Sequence, residues 1–122
     1  MPSIVRTSYV LAVPDLATAS AYWCEVLGFS QRVEPPGWAF LVRDGCRVML
    51  GECPDDLPPR ELGSHSYFGY IVVDDLDAFH AEIAARGAIV ARAPSDQPWG
   101  MREMAVHTPD GHRVMFAQSL EG

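Results

Sequence analysis

Four histidines, three cysteines and sixteen carboxylates are the side chains with which this 122-residue chain could do chemistry. His107 and His112 flank a turn and, taken with Glu103, come nearest to a metal-ligating set; the plainer reading is a solvated pair beside the turn. His65 falls in a proline-rich stretch and His80 on the outer side of a helix. Cys24, Cys46 and Cys53 are odd in number and lack CxxC spacing, so they read as free thiols of a reducing cytoplasm rather than a disulfide framework or a zinc site. Cys24, beside Trp23 on a helix, reads as buried packing. No Ser-His-Asp or Cys-His set has an evident geometry, so nucleophilic catalysis is not expected.

The elements that position these residues come from a repetition. RDGCRVML (43–50) returns as PDGHRVMF (109–116), with methionine in the seventh place both times, and VPDLATASAY (13–22) is answered by VDDLDAFHAE (73–82). Each half turns at an aspartate, runs as a helix and ends at a glycine, the mark of a supersecondary unit present twice. In the first half, 4–13 reads as a strand. Asp15 is placed to cap a helix with the stripe Leu16, Ala19, Trp23, Val26 and Leu27, and Gly28 to close it. Strands follow at 29–34, 38–43 and 46–52, the last two joined at Asp44–Gly45. In the second half strands fall at 67–73, 89–92, 101–107 and 112–118, around a helix from Asp75 to Gly87 with the stripe Leu76, Phe79 and Ile83. The expected fold is α+β, two βαβββ modules (1–52 and 67–119) whose curved mixed sheets form a cleft. They are joined by a linker over 53–66 within a single domain, 1–122.

Composition narrows the partners. The net charge is −7 with no basic cluster, which speaks against nucleic acid and tolerates a cationic small molecule. No apolar run is long enough to span a bilayer, and MPSIVRTSYV lacks a signal-peptide pattern, so neither membrane nor secretion is expected.

The paired βαβββ order, VPDLATASAYWCEVLGF near the start and DQPWGMREMAVHTPDGHRVMF near the end resemble the vicinal oxygen chelate superfamily, which includes glyoxalase I, extradiol dioxygenases, fosfomycin-modifying enzymes and bleomycin resistance proteins. The QPWG segment, the Arg102–Glu103 pair and the PDG turn are most similar to the bleomycin resistance branch. The resemblance implies four metal-ligand positions, one on the first strand and one on the last strand of each module. They fall on Ser8, Phe68, Met49 and Met115 in this chain. Hydroxyl, phenyl and thioether groups do not make a site for Mg, Mn, Fe or Zn, so no metal and no cofactor are expected.

Methionine and phenylalanine at those places leave a soft, polarizable floor suited to an aromatic organic ligand or antibiotic. Alternation on the strands adds Arg47 to Met49, Arg113 to Met115 and Tyr70 to Phe68. Trp38 and Trp99, each next to a turn, are candidate stacking walls, whereas Trp23 belongs to the core. The candidate ligand-binding set is therefore Trp38, Arg47, Met49, Phe68, Tyr70, Trp99, Arg113 and Met115, with core filling as the alternative use of the methionines and Phe68. The reading is a cytoplasmic, metal-independent binding protein, expected as a homodimer, that sequesters a small molecule. The rivals are a lyase, isomerase or dioxygenase of the same superfamily with displaced metal ligands, and a protein kept for assembly with partners.

Overall fold

Period-two alternation decides which face of each strand is buried, and in this chain it does so twice. The computed structural model describes residues 2–33 and 35–121; Met1, Glu34 and Gly122, which belong to the expected ranges 1–52, 29–34 and 1–122, lie outside them. The chain divides into two units, Met1–Asp56 and Leu57–Gly122.

The first unit contains β1 (Tyr9–Val13), α1 (Leu16–Glu25), β2 (Ser30–Val33), β3 (Trp38–Arg43) and β4 (Cys46–Glu52). The sheet order is β1-β4-β3-β2, with β1 parallel to β4 and the other pairs antiparallel, so the sheet is mixed. Leu11, Val13, Ala39, Leu41, Val48 and Leu50 are buried together with Ala19, Tyr22 and Trp23 of α1. Trp23 meets Phe29 edge-on at 5.0 Å, the core role expected of it. The strand expected from residue 4 begins only at Tyr9, because β propensity is realised only where a ladder partner stands alongside.

The start of α1 departs from expectation. The Asp15 carboxylate accepts from the Thr18 hydroxyl and caps no backbone amide. Glu52, at the end of β4, accepts from the Leu16 amide at 2.9 Å instead. Gly28 closes the helix at φ 79, as expected, and the Arg43 guanidinium donates to the Leu27 carbonyl at 2.8 Å.

The second unit repeats the pattern with β5 (Tyr67–Val72), α2 (Leu76–Ala85), β6 (Ile89–Asp96), β7 (Met101–His107) and β8 (Arg113–Ser119), in sheet order β5-β8-β7-β6. Leu76, Phe79 and Ile83 pack with Met104, Val106, Val114 and Phe116, and the Phe79 and Phe116 rings lie 4.6 Å apart. Asp75 caps α2 as expected, accepting from Ala78 N at 3.1 Å, while Gln118 accepts from the Leu76 amide at 2.8 Å. Leu16 and Leu76 are thus served alike by the end of the last strand of each unit.

β6 continues to Asp96, past the expected end at 92, through bulges at Val90/Arg92 and Arg92/Ser95. It is an edge strand, where Pro94 removes no ladder bond that is needed and the bulges twist the edge away from further pairing. Residues 57–66, expected as linker, lie within the second unit and include a short 3-10 turn at Pro59–Glu61. Arg113 Nη1 donates to the carbonyls of Pro59 (3.3 Å) and Gly63 (3.2 Å), and Nη2 to those of Arg60 and Leu62, both at 3.4 Å. Gly111 (φ 91) lets Arg60 come close: a Cβ there would stand 2.6 Å from that of Arg60.

Candidate binding site

Each sheet packs its helix on one face, and alternation sends the remaining side chains to the other. In the first unit that second face carries Val10 of β1, Trp38 and Phe40 of β3, and Arg47 and Met49 of β4. The register pairs Met49 with Val10 on one side and Phe40 on the other, and Trp38 with Gly51. β4 is an interior strand, so Met49 stands near the middle of the face, half-buried, with Arg47 half-buried beside it. The Trp38 indole lies over Gly51, where a Cβ would come within 3.0 Å of the ring, and stands tilted to Phe40 with centroids 6.4 Å apart. Trp38 keeps 37% of its surface exposed and Val10 61%.

In the second unit the corresponding interior strand is β8. Tyr70 pairs with Met115 and Val72 with Ala117, while Glu103 of β7 faces Ala117 from the other side. Met104 and Val106 go to the core, so Glu103 points to the face opposite α2, and Arg102 goes the other way to Asp77 (3.1 Å) and Asp96 (2.9 Å). Neighbours on a strand point to opposite faces, so of this pair only Glu103 lies on the face away from α2.

Glu103 is only 3% exposed. Its Oε2 accepts from the Tyr70 hydroxyl at 2.6 Å and from Trp99 Nε1 at 2.9 Å, and its Oε1 lies 3.8 Å from Arg92 Nη2. The Tyr70 phenol is pushed up to about 12, first by removal of its polar end from water, then by its hydrogen bond and charge interaction with Glu103. Trp99 sits in the turn between β6 and β7, which is closed by Gln97 N donating to Met101 O at 2.7 Å and Gly100 N to Gln97 O at 3.2 Å. Gly100 (φ 86) takes the left-handed position there. Trp99 remains 64% exposed and Tyr70 43%, although both polar ends are tied to one buried carboxylate.

The structure therefore gathers Trp38, Arg47 and Met49 on one face, and Tyr70, Trp99 and Met115 on another. Phe68 follows neither by simple counting. A bulge between Tyr67 and Gly69 breaks the alternation, and the Phe68 ring meets His112 edge-on at 6.1 Å. Arg113 is taken up by the carbonyls of residues 59–63.

Two residues of these faces, Phe40 and Glu103, were not in the expected ligand-binding set. Phe40 was recoverable from alternation starting at Trp38. Glu103 had a weaker signal, its spacing from Trp99 across a tight turn, since a charged residue on a strand ordinarily reads as solvated. Among the described residues no three His, Cys, Asp or Glu side chains cluster in a way that could hold a metal, so the grouping of His107 and His112 with Glu103 is not formed.

A groove of about 550 Å³ also runs beside α1, lined by Asp15, Ser20, Cys24, Glu25, Gln31 and Glu52. It includes none of the candidate ligand-binding residues. Cys24 is half-buried at its wall rather than fully packed, and burial together with Glu25 pushes its thiol up, away from the thiolate a nucleophile needs.

Comparison with known proteins agrees with this architecture. Residues 5–116 match the family model described as the Glyoxalase/Bleomycin resistance protein/Dioxygenase superfamily. A bleomycin resistance protein of Geobacillus stearothermophilus is 26% identical, with 91% of this chain and 94% of the relative covered. The crystal structure of TioX from Micromonospora superposes with a TM-score of 0.78 at 26% identity, covering 94% of this chain and 98% of the other. That of TnmS3, an antibiotic binding protein from Streptomyces, gives 0.73 at 25% identity, covering 97% and 99%. With the βαβββ unit present twice and the match running through both copies, the chain belongs to the glyoxalase/bleomycin resistance protein/dioxygenase superfamily.

Proposed function

We propose that this protein binds and sequesters a small organic molecule of the antibiotic type, without a metal and without chemical conversion. The observation that carries the reading is the placement of Met49 and Met115. Each occupies an interior strand of its sheet, on the face opposite the helix and beside aromatic side chains, at positions where the superfamily's enzymes are expected to hold carboxylates. The other two expected ligand positions fit a metal no better: Ser8 is exposed ahead of β1, and Phe68 is a hydrocarbon in a bulge. Thioethers are too soft to hold a hard divalent cation, and the buried carboxylate on the second face, Glu103, is engaged by Tyr70 and Trp99.

Those substitutions leave rings and polarizable sulfur, which attract planar aromatic and heteroaromatic surfaces by contact. The net charge of −7 favours cationic character in the ligand. Binding alone suffices for protection, since a captured molecule is withdrawn from its target by mass action. The bleomycin resistance relative and the antibiotic binding neighbour support the ligand class. The free thiols fit a cytoplasmic location.

The test is a fluorescence titration of the protein with bleomycin, alongside metal analysis of the purified protein. Tryptophan emission should quench on binding, Trp99→Ala should weaken affinity by about 1–3 kcal/mol, and no stoichiometric divalent ion should survive dialysis. One retained equivalent of metal would overturn the metal-free reading. A silent Trp99→Ala would remove the second face from the site.

A further inference from the structure

An indole that is mostly exposed has little reason, for folding alone, to be tied to a carboxylate that is almost wholly buried. Trp99 is 64% exposed, yet its Nε1 donates at 2.9 Å to Glu103, which is 3% exposed. The same oxygen accepts from the Tyr70 hydroxyl at 2.6 Å, so two rings from different elements, the β6–β7 turn and β5, are held by one atom. Ion pairing adds little: Arg92 stands 3.8 Å from the other carboxylate oxygen and is itself half exposed. Taking a carboxylate out of water is costly, and hydrogen bonds to the charged form are what offset that cost.

What the arrangement yields is two aromatic faces turned outward and fixed before any ligand arrives. Ordering a free side chain at the moment of binding costs affinity, and a platform already ordered avoids that cost.

Resting on the binding function proposed above, we infer that Glu103 is a positioning residue of the ligand site, presetting the Trp99 and Tyr70 rings as its walls. It touches the ligand through neither oxygen; it acts through the two rings. Glutamine preserves an oxygen able to accept from both donors, whereas alanine preserves none.

The experiment compares wild type, Glu103→Gln and Glu103→Ala by the Nε1–H resonances of the three tryptophans and by calorimetric titration with bleomycin. In the wild type the Trp99 indole should show the rigid relaxation of the folded backbone and slowed hydrogen exchange, despite its exposure. In Glu103→Ala that one indole should become mobile while those of Trp23 and Trp38 stay unchanged. Bleomycin should then bind about tenfold more weakly, and Glu103→Gln should restore both properties.

An indole as ordered in Glu103→Ala as in wild type would overturn the inference. So would a freed indole with unchanged bleomycin affinity. Should Glu103→Ala fail to fold, Trp99→Phe serves at its exposed position: it keeps a ring but loses the N–H, and unchanged affinity there overturns the inference as well. If wild type does not bind bleomycin at all, the proposed ligand falls, and the indole measurement by itself upholds or overturns the clamp.

Discussion

At the scale of single residues, the most telling chemistry is that of Tyr70. Its phenol is pushed up to about 12, first because its polar end is partly removed from water, then by its hydrogen bond to Glu103 and the negative charge there. A raised folded-state value means the native protein holds that proton more tightly than the unfolded chain does. The stabilisation is therefore fully present below the ordinary tyrosine range near 10 and is lost as the pH rises through about 12. Absorbance titration should show a tyrosine step near pH 12. Glu103→Gln should bring that step down, and an unmoved step would break the assigned coupling. Much at this scale was legible beforehand. Trp38, Met49, Tyr70 and Met115 could be picked out because residue type and strand alternation both pointed to them. Glu103 was passed over as a ligand-site residue because nothing in a string of letters says that Tyr70, from a strand two places away in the sheet, will reach across β8 and close over it.

Among the elements, the two helices show how one structural task is met by unlike residues. Both were expected to start on their aspartates, and Asp75 does accept from an α2 amide. Asp15 instead accepts from Thr18, and the first amide of α1 depends on Glu52, far away in sequence. Glu52→Ala should therefore cost about 0.5–2 kcal/mol, the usual penalty for losing a helix cap. Asp15→Ala should stay within about 0.5 kcal/mol, as surface substitutions do. Urea unfolding of the two variants decides the matter, and the reverse ranking would reinstate Asp15 as the cap. Helix and strand identities were readable because local periodicity encodes them. Where local signals competed with partners elsewhere in the sheet, the partners won. β1 begins at Tyr9, and β6 runs on through its bulges to Asp96 against β7.

For the whole molecule, the duplicated βαβββ unit leaves two sheets, each with its helix on one face only. Val10, Trp38, Tyr70 and Val72 are exposed on the opposite faces, and apolar surface of that kind marks contact sites. We expect two chains to associate as a symmetric homodimer, because a self-complementary two-fold pairing covers the same surface on both copies. Light scattering at micromolar concentration should report twice the mass of one chain, and a monomer would contradict this. Among the described residues no helix is long and apolar enough to cross a membrane. The sequence by itself determined the repeat, the helix stripes, the core led by Trp23, Leu76 and Phe79, and the placing of a methionine at the same point of each repeat, Met49 and Met115. Those are matters of residue type and short-range spacing, which a chain carries wherever it goes. Tertiary structure alone decided that Phe68 slips out of alternation at a bulge, that Arg113 serves the carbonyls of residues 59–63, and that Glu103 holds Trp99 and Tyr70. Each of these depends on a partner that adjoins only after the strands have found their register, and register is settled by the sheet as a whole.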